Sequence, residues 1–124
     1  MSRRIILTAS LSGAIAVIFG AFGAHSLKNV LSSGAVEIWA KGVEYQFYHT
    51  FALLFLSQFA SDNDKLIKWS YIFFTMGIVL FSGSLYLLAT REILNIGFLN
   101  YIGPITPIGG LGFILGWALL FIAA

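Results

Sequence analysis

Two histidines and a glutamate are the residues of this sequence with the widest range of chemistry. His25, Glu44 and His49 could exchange protons or ligate a metal, and two histidines on different helices could occupy both axial positions of a haem. Their spacing matches no metal-binding helix motif such as HExxH. The absence of cysteine excludes disulfides, thiolate metal sites and iron–sulfur clusters. The sequence therefore predicts no enzyme activity, no metal and no cofactor, with a haem-binding redox protein as an alternative.

Four long apolar segments are the elements that must position these residues. They run from about residue 5 to 23, 43 to 60, 69 to 89 and 102 to 124. Each is close to the roughly 20 residues that a membrane-spanning helix needs. Barrel strands are shorter and alternate apolar with polar side chains, which these segments do not. The sequence therefore predicts an all-α fold, a four-helix bundle that forms one integral membrane domain over residues 1–124.

The overall composition also indicates a lipid environment. Hydrophobic residues make up 59% of the chain and charged residues 10%, whereas a soluble domain carries roughly 25% charged residues. The mean hydropathy is +0.92. A soluble protein this poor in charge could not cover its surface. The seven lysines and arginines are scattered and form no basic stripe, so we expect no nucleic acid among its partners.

Nine polar side chains, the three above among them, lie where the apolar segments begin or end. The first and third segments end, and the second and fourth begin, on the same side of the membrane, so this polar cluster would gather at one end of the bundle. Ionisable residues at membrane depth are costly and usually face the bundle interior or a cavity. The cluster predicts either hydrogen bonds that only join helices or a site for a polar ligand or a proton. Its members are His25, Glu44, Tyr45, Gln46, His49, Ser82, Ser84, Tyr86 and Thr106.

Small residues recur along one face of three of the four segments. Lipid is as apolar as leucine, so membrane helices associate through close packing of small residues rather than through burial of leucine. The pattern predicts packing seams, either within one bundle or between copies of the chain. The seam glycines are Gly13, Gly20, Gly23, Gly77, Gly109, Gly112 and Gly116.

The connections between segments set the predicted topology. Residues 24–44 form the longest connection, and the apolar side chains of residues 35–43 share one helical face, which predicts a short helix in the membrane interface before the second span. Arg3 and Arg4 beside the first segment predict that both termini are cytoplasmic. The first apolar run exceeds the 7–15 residues of a signal peptide, so we expect it to be retained.

Four ordered motifs connect the chain to a known family. With them it resembles the YgdD/YwdK-type family of small membrane proteins, which has mitochondrial relatives in animals. The resemblance touches every apolar segment and implies a multi-pass protein of the bacterial cytoplasmic (inner) membrane. It implies no activity and no catalytic residue. The motifs are GAFGAH (Gly20–His25), VEYQFYHT (Val43–Thr50), LFSGSLY (Leu80–Tyr86) and TPIGG (Thr106–Gly110) with the following Gly116 and Trp117.

Three hypotheses on function follow from the sequence. The favoured one is an accessory or structural membrane protein, packed as a bundle alone, as a homo-oligomer or beside a membrane partner. It predicts that alanine at His25 or His49 changes little, whereas a bulky residue at Gly20 or Gly112 disrupts folding. The second is a carrier or channel that uses the polar cluster for a small solute or a proton. The third is the haem-binding redox protein.

Overall fold

Helices account for nearly all regular structure in the chain. The computed structural model describes every residue from Met1 to Ala124, and it contains no strand. A π-helical turn joins α3 to α4, so that they form one continuous helix, and the chain thus has four long helices. The predicted all-α four-helix fold is confirmed. The elements are α1 (Ser2–His25), α2 (Ser33–Ser57), α3 (Lys65–Gly77), the π turn (Ile78–Ser82), α4 (Gly83–Leu94) and α5 (Ile105–Ala123), with 3-10 turns at Leu27–Asn29 and Gly97–Tyr101.

Three helical stretches are long and apolar enough to cross a membrane. They are Ser2–Asn29, Lys65–Leu94 and Ile105–Ala123. The 25 residues of α2 also suffice in length. However, polar side chains such as Gln46 and His49 lower the hydropathy of α2. Length and composition therefore support three of the four predicted spans, and a span through α2 stays a prediction.

The stretch before the second predicted span is helical, but it does not form a separate interfacial helix. α2 begins at Ser33, and the hydroxyl of Ser32 caps it by accepting a hydrogen bond from the amide of Ala35 (3.2 Å). The helix then continues without a break to Ser57. Trp39 is buried, and its Nε1–H donates to the Phe19 carbonyl of α1 at 2.8 Å. The apolar face of this stretch therefore packs on α1 instead of lying on the membrane surface.

The helices pack in an order that leaves two of them on the outside. α1 packs mainly on α2, α5 packs mainly on α3 and the π turn, and α2 also packs on α4. The outward faces of α1 and α5 are apolar, as at Leu11 and Phe121. Between the helices lies a core of eight side chains: Ile5, Ala9, Ala52, Leu53, Leu56, Ile67, Phe74 and Phe113.

The glycine seams lie inside this bundle. A Cβ at Gly23 would lie 2.5 Å from the Trp39 ring of α2, and one at Gly116 would lie 2.6 Å from the Phe74 ring of α3. Added Cβ atoms at Gly13, Gly20 and Gly112 would meet their nearest neighbours at 3.4–3.5 Å. The seams therefore join helices of one chain, and only some of their glycines exclude a side chain. Gly42, which the sequence pattern did not select, belongs with the tight ones because its Cβ would lie 2.7 Å from Tyr86.

Candidate functional site

His49 is the most constrained polar side chain of the bundle. Its ring is buried and stacks on Phe113, with ring centroids 3.5 Å apart and an angle of 9° between the planes. Nε2 lies 3.1 Å from the indole Nε1 of Trp117, and Nδ1 lies 2.7 Å from the carbonyl oxygen of Tyr45. An indole N–H only donates, so Nε2 accepts and carries no proton. The imidazole is therefore neutral, and its Nδ1–H donates to the carbonyl.

These contacts decide how well the histidines fit a haem or a metal. Both ring nitrogens of His49 already have partners, so neither is free to ligate iron. His25 is exposed at the end of α1, whereas His49 lies about 24 Å along α2 from Ser33 at 1.5 Å per residue. The chain contains no group of three or more His, Asp or Glu side chains able to hold a metal ion. The residues do not fit a bis-histidine haem site.

A hydrogen-bond network links α1, α2 and α4 in the interior. The Tyr86 hydroxyl donates to Gln46 Oε1 at 2.6 Å, and Gln46 Nε2 donates to the Ser12 carbonyl at 2.8 Å. The hydroxyls of Ser12 and Thr50 lie 2.7 Å apart and share a hydrogen bond. All four side chains are buried. The network thus ties three helices together where lipid gives no hydrophobic drive for their association.

Serine hydroxyls supply further interhelical hydrogen bonds. Ser82 donates to the Gly42 carbonyl at 2.7 Å, and Ser70 donates to the Gly116 carbonyl at 2.8 Å. Ser84 shares a hydrogen bond with Thr106 at 2.6 Å. Every buried side-chain nitrogen or oxygen in the chain has a hydrogen-bond partner. The polar interior is therefore satisfied by the protein itself.

The predicted polar cluster does not form one site at one end of the bundle. His25 is exposed, and Glu44 lies at the surface, where it pairs with Lys41 and Tyr48 at 3.2 and 2.5 Å. His49 lies nearer the end of α2 than its start, and its partner Trp117 lies in the second half of α5, toward the opposite end. Because each hydroxyl or amide bonds a neighbouring helix at its own depth, the polar groups are spread along the bundle.

Several residues of this interior were not selected from the sequence. Ser12 and Thr50 look unremarkable as single hydroxyls in apolar segments, and a hydroxyl can equally bond its own helix. The sequence feature that could have indicated Ser12 is its position beside the small-residue face of α1. Tryptophan near a span end is also typical of the interface belt. The missed residues are Ser12, Trp39, Gly42, Thr50 and Trp117.

An open groove separates α2 from α5 beside His49. It encloses about 710 Å³. Tyr45, His49, Phe81, Phe113 and Trp117 contribute to its walls. A second apolar cavity of about 730 Å³ continues on the other side of Trp117, between the ends of α2 and α5. Trp117, which bonds His49, therefore lines both cavities.

The Gln46–Tyr86 hydrogen bond can be isolated by a double-mutant cycle. Gln46→Leu should destabilise the bundle by roughly 1–2 kcal/mol, because it leaves the buried Tyr86 hydroxyl unpaired. Tyr86→Phe should destabilise the bundle by a smaller amount. The double variant should lose less than the sum of the two single losses, as measured by equilibrium unfolding in mixed micelles. Strictly additive losses would contradict the hydrogen bond.

The fold and its interior define a class of protein. A bundle with lipid-facing apolar helices, glycine seams and an internally satisfied polar network is a helical integral membrane protein. The chain belongs to the DUF423 family, described as a protein of unknown function, whose family model matches residues 19–110.

Individual relatives are similar to the chain over nearly its whole length. It is 42% identical to the UPF0382 inner membrane protein YgdD of Escherichia coli over 126 residues, which covers 99% of this chain and 90% of the relative. It is 42% identical to the UPF0382 membrane protein SSP2132 of Staphylococcus saprophyticus over 117 residues, which covers 94% of this chain and 92% of the relative. The UPF0382 membrane protein SAB0533 of Staphylococcus aureus is 39% identical over 121 residues, which covers 98% of this chain and 94% of the relative.

These comparisons test the family resemblance directly. They confirm the resemblance to the YgdD-type family and the prediction of a bacterial membrane protein. No solved structure matches the chain. The family description names no enzymatic activity.

Proposed function

We propose that the protein is an accessory structural component of the bacterial cytoplasmic membrane, a rigid four-span bundle with both termini in the cytoplasm. One observation carries this proposal: every buried side-chain nitrogen or oxygen is bonded within the chain. A carrier needs polar groups that can exchange their partners for a solute. Here the Gln46 amide and the His49 ring each bond two partners. Such a network favours a fixed architecture over a transport path.

The distribution of side chains on α2 supports its role as a membrane span, in addition to the three supported by length and composition. Gln46, His49 and Thr50 are buried among the other helices, whereas Phe51 and Phe55 are more than half exposed on the outward side. A helix with its polar groups turned inward and its aromatic groups turned outward suits lipid despite its modest hydropathy. With α2 across the membrane, the positive charges of Arg3 and Arg4 favour an N-terminus in the cytoplasm.

Purification in mild detergent, combined with reconstitution, tests the accessory role. The protein should migrate in a native gel together with a second membrane protein in fixed stoichiometry. Pure protein in liposomes should not dissipate a pH gradient faster than protein-free liposomes do. The Gln46→Leu variant serves as a control, because loosening the network should reduce complex formation without creating a flux. A flux in the wild type that Gln46→Leu abolishes would overturn the proposal.

The groove between α2 and α5 favours a second candidate, a carrier for a small amphipathic solute. Tyr45 and His49 bring polar groups to an otherwise apolar wall that opens toward lipid. In this case the liposome assay should show a saturable flux that His49→Ala removes. The accessory role predicts no such flux in the wild type, which separates the two candidates.

A further inference from the structure

A small charged cleft lies at the end of the bundle where α1 and α3 begin. It encloses about 220 Å³. A water molecule occupies roughly 30 Å³ of liquid, so the cleft has room for a phosphate-sized group in place of several waters. Its walls are formed by Met1, Arg4, Asp62, Lys68, Tyr71 and Ile72.

The positive charges of this cleft, on Met1, Arg4 and Lys68, outnumber its one carboxylate, Asp62. The Asp62 carboxylate pairs with the Met1 ammonium at 2.9 Å, and the hydrogen bond and charge of that ammonium lower the pKa of the Asp62 carboxyl. The only other ion pair of the chain, Lys41–Glu44, lies at the opposite end. Arg4 and Lys68 are exposed and make no ion pair, although the charge of Arg4 also helps to lower the pKa of Asp62, so the cleft keeps a net positive charge.

Neighbouring groups add to the positive potential. Arg3 and Lys65 are exposed at the same end and also make no ion pair. The Asp64 carboxylate caps α3 by accepting from the Ile67 amide at 3.1 Å, so it is committed to its own helix. Both α1 and α3 direct their N-terminal turns here, and helix N-termini carry partial positive charge.

The depth of the cleft matches the headgroup layer. Lys68 is followed by Trp69, which is half exposed and of the residue type found at membrane interfaces. One turn deeper, the Tyr71 hydroxyl shares a hydrogen bond with Thr8 of α1 at 2.8 Å. Ile72 completes the inner wall. The walls thus change from cationic to phenolic to apolar, in the order in which a phospholipid presents phosphate, glycerol and acyl chain.

We propose that this cleft binds an anionic phospholipid, with Arg4 and Lys68 contacting its phosphate and Tyr71 lying at the level of its glycerol. Arginine suits this task because its planar guanidinium can bond two phosphate oxygens at once. Basic clefts between membrane helices are recognised sites for anionic headgroups. The apolar inner wall selects a lipid over a free anion, since a free anion gains nothing from Ile72.

Native mass spectrometry of the full chain tests the proposal. Protein is released from vesicles of equal parts phosphatidylglycerol and phosphatidylcholine, and the retained lipids are counted. Wild type should retain phosphatidylglycerol preferentially, and Arg4→Gln with Lys68→Gln should reduce the preference roughly five-fold for each cation removed. The control, Lys28→Gln with Arg91→Gln, removes the same charge at the opposite end, where both side chains are exposed. It should keep the preference.

Two outcomes would overturn the proposal, and one further arm separates lipid from free anion. An unchanged preference in the Arg4/Lys68 variant, or an equal loss in the control, would show that no specific cleft is involved. Inorganic phosphate added in excess should not displace phosphatidylglycerol, whereas displacement would show a general anion site. Circular dichroism should be identical for all variants, because the substituted side chains lie on the surface.

Discussion

A chain with alanine in place of Gly109 is expected to lose about 3 kcal/mol of unfolding free energy, at the upper end of the cost of overpacking. The new Cβ would lie 2.8 Å from both the Phe81 Cα and the Leu80 carbonyl carbon, and it would overlap the Phe81 amide nitrogen. These are backbone atoms, so no side-chain rotation relieves the clash. The π turn cannot withdraw freely, because the Ser82 hydroxyl ties it to the Gly42 carbonyl.

Gly83→Ala provides the matched control two residues after Phe81. A Cβ at Gly83 would meet nothing within 4 Å. This variant should be neutral or more stable by up to about 1 kcal/mol, the difference between glycine and alanine in a helix interior. Both values can be measured by equilibrium unfolding in mixed micelles of mild detergent and dodecyl sulfate. Equal stability of the two variants would contradict the close approach of α5 to the π turn.

The glycine seams show how far periodicity alone can predict packing. The 3.5-residue pattern selected Gly23 on α1 and Gly109 and Gly116 on α5, where an added Cβ would meet a neighbouring helix. It could not show which glycines leave no space for a side chain, because Gly13 and Gly23 lie on the same face of α1 but meet different side chains. Gly23 lies against the broad Trp39 ring, whereas Gly13 lies beside a Thr50 methyl group. The partner across the interface sets the space, and no pattern within one helix encodes that partner.

The polar residues show the same limit for the candidate site. The sequence placed Gln46 and Tyr86 on the correct helices, but helix ends sharing one side of a membrane need not share one depth. Depth depends on how each helix extends past the bilayer and on its rotation. The π turn adds a further shift, since its wider turn changes the register of α4 relative to α3. The pairing of His49 with Trp117 therefore could not be inferred from position along the chain.

The same alanine substitution at the two histidines should have unequal effects. His25→Ala should change stability by no more than about 0.5 kcal/mol, because His25 is exposed. His49→Ala should cost about 2 kcal/mol, the lower end for a large buried side chain, since it removes the stacking on Phe113 and leaves a cavity. The sequence predicted a small effect of alanine at both histidines. From the structure we still expect a small effect at His25, but a large one at His49. Unfolding in mixed micelles measures both.

A second pair of variants separates the two contributions of His49. Phenylalanine at this position keeps an aromatic ring against Phe113 but leaves the Trp117 Nε1–H without its acceptor. His49→Phe should therefore cost about 1 kcal/mol, and adding Trp117→Phe should recover part of that loss because the unpaired donor is gone. Trp117→Phe alone leaves the buried His49 Nε2 without its donor, so it should cost about as much as His49→Phe. If His49→Ala proved as harmless as His25→Ala, the imidazole would not hold α2 against α5, and the groove between them would lack its central contact.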